Sequence, residues 1–223
     1  MRLALNGWFL AHHPQTGTGQ YLRALLTHLP QVAPQHEVVL VAPGDGALPP
    51  EAEAVRVHRV RCGAGDLDKV WFEQRLFPAA CRALRADLAH VPHWAPPLAS
   101  PVPVVVTVHD VIPLILPEYR GGARSRLYTA LVTAATPGAA LILADSAATR
   151  RDIVERIGVP EDKIRTVPLA VDARYTASHD WREDDAIRAK YGLPEAYVLY
   201  LGGFDARKNV RALLSAWTWA AGS

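Results

Sequence analysis

The sequence predicts an α/β fold: a doubly wound parallel sheet, followed by the first βα unit of a second domain of the same kind. Three observations carry this. Short apolar runs alternate with segments of helical spacing along the whole 223-residue chain. The best runs, HEVVLVAP (36–43) and PVVVTVHD (103–110), are continuously apolar and β-branched, without the polar alternation of a sheet that has one wet face. Half of the residues are apolar, enough for one sizeable core and part of a second.

RLALN (2–6) reads as a first buried strand. Residues 20–29 place apolar side chains at 21, 22, 25, 26 and 29, which is helical spacing. The run 36–43 is the second strand, closed by Pro-Gly. AVRVHRV (54–60) alternates apolar and polar, as an edge or half-buried strand does. LDKVWFEQRLFPAACRAL (67–84) is a helix expected to kink or break at Pro78. DLAHVP (87–92) and 103–110 are strands, and 125–136 is a helix. ALILADS (140–146) is a strand that runs into caps at Asp145 and Ser146; the helix behind it covers 147–157 and stops at Gly158. KIRTVPLAVD (163–172) is the last short strand of the first domain.

Residues 173–184 turn polar and read as a linker. A second domain then begins at 185, with a helix to 193, a strand AYVLYLGG (196–203) and a helix over 207–220. The chain stops at Ser223 inside a helical pattern, so it reads as the front part of a longer protein, with domains 1–172 and 185–223.

Several classes are set aside. There are 24 basic and 22 acidic residues and no run of five like charges, so nothing suggests a nucleic-acid partner. Two cysteines, Cys62 and Cys81, are too few for a disulfide framework and fit a reducing, cytoplasmic setting. The N-terminus turns polar too soon for a signal peptide, and no apolar stretch is long enough to span a membrane. His90 and His93 have no cysteine or acidic cluster to complete a metal site, so no metal is expected.

Two glycine turns remain. In HPQTGTGQYLRALL (13–26), Gly17 and Gly19 stand at the start of a helix, where free N–H groups and a partial positive charge favour an anion. A dinucleotide fingerprint would need a third small residue where Leu22 stands, which weakens a nicotinamide-dependent oxidoreductase reading. In LYLGGFDARKNV (199–210), Arg207 and Lys208 lie at a helix start, where cations oppose the helix dipole unless an anion joins them.

Four segments, TGTGQYLRALL, VTVHDVIPLILPEY, ADSAATRRDIVERIGVPEDKIRTVPLAVD and YLGGFDARKN, occur in an order that resembles the family-4 (GT4) retaining nucleotide-sugar glycosyltransferases. The HD-x-x-P and RKN elements resemble the bacterial mannosyltransferases among them. The resemblance implies the GT-B architecture: two Rossmann-like domains, the first taking the acceptor and the second the donor. It implies a nucleoside-diphosphate sugar as donor substrate, with no cofactor or catalytic metal. The acceptor would be a glycan or a lipid-linked glycan, the latter bringing peripheral contact with the inner membrane face.

By the same resemblance, Gly17 and Gly19 lie against the donor diphosphate, with Gly203, Arg207 and Lys208 binding it from the second domain. Lys208 would stabilise the leaving diphosphate and His109 would stand by the reacting sugar. His13, Asp110 and Arg120 are candidate acceptor contacts. Relatives carry an arginine where this chain has Gly203, and a spaced pair of glutamates that would fall beyond Ser223. The 223-residue chain alone is therefore expected to be inactive. A non-catalytic acceptor-binding or scaffold module is the other alternative.

Overall fold

A computed structural model describes residues 1–172, 175 and 181–221. The chain divides into two compact units, Met1–Ala170 and Val171–Ser223.

The first unit is built on a seven-stranded sheet: β1 (Arg2–Asn6), β2 (Glu37–Pro43), β3 (Arg56–Val60), β4 (Leu88–Val91), β5 (Val104–Val108), β6 (Leu141–Ala144) and β7 (Ile164–Thr166). The spatial order is β3-β2-β1-β4-β5-β6-β7 and every pairing is parallel. Parallel neighbours need crossovers, and helices supply them on both faces. Leu3, Leu5, Leu22, Leu26 and Leu40 form one core layer. Ala4, Val39, Val41, Phe72, Phe77 and Ile153 belong to the other. Alternate residues of β1 and β2 thus serve opposite layers, which is why neither strand shows polar alternation. β3 is half-exposed along its length and forms an edge.

The first helices are α1 (Trp8–His12) and α2 (Gly17–Val32). The segment read as one long loop between residues 6 and 19 thus contains a helix, started by Asn6, whose Oδ1 accepts from the Trp8 N–H at 3.0 Å. The helix expected over 67–84 is α3 (Asp66–Trp71), a π-helical turn (Phe72–Leu76) and α4 (Phe77–Ala83). Pro78 does not break it: Pro78 sits at the start of α4, where its missing N–H costs little, and the irregularity lies one turn earlier.

α5 (Ile112–Ile115) and α6 (Ala123–Ala135) follow β5. α7 (Ala147–Ile157) is capped by the Ser146 hydroxyl, which accepts from the Thr149 N–H, and ends at Gly158 in the left-handed conformation.

In the second unit, α8 (Trp181–Tyr191) begins inside the stretch read as a linker, of which residues 173, 174 and 176–180 lie outside the described residues. The strand expected over 196–203 does not form. A strand is defined by its pairing, and no other described segment of this unit is extended to pair with it. α9 (Val210–Ala221) starts later than expected: residues 206–208 form a separate 3₁₀ turn, and Asn209 is left-handed.

Candidate functional site

The strand order reverses between β1 and β4: the chain moves outward one way from β1 to β2, and the other way from β4 to β5. Loops leaving the carboxyl ends of two such strands diverge and open a crevice, the usual ligand position in this architecture. The segments there are Gly7 with α1 after β1, residues 92–94 after β4, His109 and Asp110 after β5, and Asp145 after β6.

His109 is held on every side. Its Nδ1 lies 2.7 Å from Asp145 Oδ2 and its Nε2 lies 3.2 Å from the Pro92 carbonyl oxygen. The Tyr21 ring meets it edge-on with centroids 5.0 Å apart. The Thr149 hydroxyl donates to its backbone carbonyl. Both ring nitrogens thus face oxygens of the protein itself, so the ring is fixed in orientation and neither nitrogen is turned freely to the crevice. Asp145 was expected to help cap α7; Ser146 provides the cap and Asp145 takes His109 instead. Tyr21 also places its hydroxyl 3.3 Å from Thr107 Oγ1, to which His90 Nε2 is bonded at 2.9 Å. This links the helix behind the glycine loop to β4 and β5. Burial pushes His90 down to about 4, and repulsion from His93 and His109 adds to it.

A second cluster was not foreseen. Glu73, fully buried on the π turn, accepts from Lys69 Nζ at 2.5 Å and from His93 Nε2 at 2.9 Å through Oε1. Its Oε2 accepts from the Tyr128 hydroxyl at 2.9 Å, and Lys69 also reaches that hydroxyl. Burial alone would raise the Glu73 pKa; the His93 hydrogen bond and the Lys69 charge outweigh it and hold it below the ordinary value. His93 is lowered by its own burial, so it donates as a neutral ring from Nε2, and its Nδ1 lone pair is buried with no partner among the described residues. A sequence signal existed: Lys69 and Glu73 stand four apart, and Glu73 follows Phe72 on the apolar side of the helix. His90 and His93 turn to different partners, Thr107 and Glu73.

The glycine loop divides into two cases. A Cβ on Gly19 would stand 2.4 Å from the His13 carbonyl oxygen and 2.7 Å from Pro14, so only glycine lets the chain pass there. A Cβ on Gly17 would meet nothing within 4 Å. Thr16 caps α2 by accepting from the Gly19 N–H, and the Gly17 and Thr18 N–H groups have no partner in the helix.

The other predicted residues are scattered. His13 is exposed, and its carbonyl ties down Thr16. Asp110 accepts from the Ile112 N–H at 3.1 Å and so starts α5. Arg120 is exposed and lines a groove between α5 and α6. Within the second unit, the Gly203 carbonyl accepts from the Tyr200 hydroxyl. Arg207 pairs with Asp205 at 3.4 Å, and Lys208 is exposed on the same 3₁₀ turn.

The model of Glycosyltransferase Family 4 matches residues 16–175, which takes in the glycine loop, His109 and Asp145. The chain is 33% identical over 114 residues to the Escherichia coli O-antigen chain mannosyltransferase B, covering 51% of this chain and 30% of that protein. It is 27% identical over 120 residues to the E. coli serotype-specific mannosyltransferase WbdA, covering 53% of this chain and 15% of that one. Anabaena Alr3699/HepE, solved in complex with UDP, superposes with a TM-score of 0.55 at 16% identity, over 86% of this chain and 50% of its own. The chain thus spans at most half the length of these relatives.

Proposed function

We propose that this chain, which belongs to Glycosyltransferase Family 4, is the acceptor-side portion of an enzyme that moves mannose from a nucleoside-diphosphate sugar to a glycan or lipid-linked acceptor, with the anomeric configuration retained. The observation that carries this is the family match across the whole carboxyl edge of the sheet, where Tyr21, Asp145 and the Pro92 carbonyl fix His109. Membership in this family sets the oxidoreductase reading aside. The named relatives are mannosyltransferases, which supports mannose.

Breaking the bond between the sugar and phosphate leaves negative charge on the diphosphate and oxocarbenium character on the sugar. A preorganised cation at the phosphate stabilises that separation. Lys208 is the residue proposed for this, with Arg207 and the Gly203 turn beside it. Gly17, whose missing side chain leaves open space, is the place where the first unit would admit the diphosphate. His109, with both nitrogens engaged, would give the reacting sugar a rigid wall rather than a proton acceptor. Asp110, His13 and Arg120 stay as proposed acceptor contacts. The donor is the substrate, and no metal is invoked.

Transfer by the full-length protein from GDP-mannose to a mannose-terminated glycan tests the reading. The full-length protein is expected to turn over and the 223-residue chain to show none. Lys208→Ala in the full-length protein is expected to cut turnover by on the order of 10²-fold. A change below about threefold would remove Lys208 from the role. A full-length protein that bound the glycan but turned over no nucleotide sugar would favour a non-catalytic acceptor-binding module.

A further inference from the structure

We propose that the surface formed by α5, the turn after it and the first half of α6 docks on a bilayer that carries anionic phospholipid. This goes beyond sugar transfer and rests on it in one respect only: a lipid-linked acceptor would be met at such a surface.

The first observation is apolar exposure. Residues 112–116 (Ile-Pro-Leu-Ile-Leu) are all half-exposed, and Leu127, on the first turns of α6, is 73% exposed. Between α5 and α6 runs a groove of about 440 Å³ whose lining is mainly apolar, with Pro113, Leu114 and Ala130 along it. The second is charge. Arg120 and Arg126 also line this groove, and Arg124 stands beside them; all three are exposed. From residue 119 to residue 144 the sequence holds no aspartate or glutamate, although the whole chain is nearly neutral at +2. The basic charge here is therefore local and uncompensated.

α7 shows what an ordinary solvated basic helix looks like in this protein. Its Arg150, Arg151 and Arg156 alternate with Asp152 and Glu155, and Arg150 pairs with Glu161 at 3.0 Å. The α5–α6 surface has no such partners in its sequence.

Arginines around an open apolar groove match the layering of a membrane interface. Guanidinium groups reach lipid phosphates while Ile, Leu and Pro side chains enter the boundary between headgroups and acyl chains. Each basic residue near an anionic surface adds to binding, and the attraction fades within a Debye length. A soluble acidic partner would match the charge but leave the apolar strip unexplained. α5 begins just after His109 and Asp110, so docking here would bring the carboxyl edge of the sheet close to the lipid surface.

The test is co-sedimentation of the 223-residue chain with vesicles of equal parts phosphatidylglycerol and phosphatidylcholine, against vesicles of phosphatidylcholine alone. Binding to the anionic vesicles is expected to exceed binding to the neutral ones and to fall as salt rises. The double variant R120E/R126E is expected to lose at least about tenfold in binding, and L127E, which changes one exposed side chain, to weaken it as well. R151E/R156E on α7 makes the same change in net charge and is expected to keep most of the binding. Equal binding to both vesicle types, no binding to either, or equal losses in the α6 and α7 double variants would each overturn the proposal. Sugar transfer is read separately: turnover without vesicle binding overturns docking alone, and vesicle binding without turnover overturns transfer alone.

Discussion

Replacing Glu73 by glutamine keeps the shape of a fully buried side chain and removes its charge. The carboxylate serves three donors: Lys69 and His93 on one oxygen, Tyr128 on the other. Glutamine retains one acceptor oxygen and adds two N–H donors. With that oxygen toward Lys69 and His93, the amide faces Tyr128, whose hydroxyl must turn to accept. Two hydrogen bonds to a charged group then become ordinary ones, a loss of about 1 kcal/mol each. Lys69 also loses its counter-charge while its side chain is only 20% exposed. Breaking a fully buried pair costs about 3–5 kcal/mol; partial access of Lys69 to water places this case at the low end, about 3 kcal/mol. For a unit of this size that corresponds to roughly 6–12 °C in Tm, read by scanning calorimetry on the 223-residue chain. Glu51→Gln is the comparison, because its pair with Arg23 is partly solvated, 24% and 28% exposed. It should cost less than about 1 kcal/mol. If the Glu73 variant melts no lower than the Glu51 variant, the cluster does not hold the π turn to β4 and α6 as described.

His90 makes stability fall in acid. Burial holds its pKa near 4 against an ordinary 6.5, so the unfolded chain binds the proton more tightly. Its contribution is full above about pH 6.5 and declines by about 1.4 kcal/mol per unit towards pH 4. Urea midpoints at pH 7 and pH 5 should converge in His90→Asn, and an unchanged difference would contradict this. Gly19→Ala should lower Tm by several degrees because its Cβ meets the backbone of residues 13 and 14, whereas Gly17→Ala should leave Tm nearly unchanged; equal effects would refute the distinction. Asp145→Ala in the full-length protein should reduce turnover about tenfold by freeing the His109 ring, with donor KM little changed; a rise in donor KM alone would assign Asp145 to donor binding.

Local chemistry was legible in the sequence. Ser146 and Gly158 mark the ends of α7 because a cap hydroxyl and a left-handed glycine act within a few residues of where they stand. The buried strands were legible for a similar reason, since continuous β-branched runs reflect burial on both faces. Long-range choices were not. Asp145 looks like a cap until the fold brings His109, 36 residues away, to its carboxylate. Glu73 looks like a solvated i,i+4 partner of Lys69 until His93 and Tyr128 arrive from β4 and α6. Residues 196–203 have the composition of a strand, but composition does not show whether a neighbour is there to pair with. At the glycine loop the pattern alone gave Gly17 and Gly19 one role. The backbone path separates them, with Gly19 explained by packing and Gly17 left open to solvent.

The most direct measurement is the reaction of the full-length protein with GDP-mannose and a mannose-terminated glycan, followed by NMR at the anomeric carbon of the product. The account predicts a new mannosidic linkage with the donor's α configuration, lost in Lys208→Ala and absent with the 223-residue chain alone. A β linkage, or no consumption of any nucleotide sugar by the full-length protein, would contradict it.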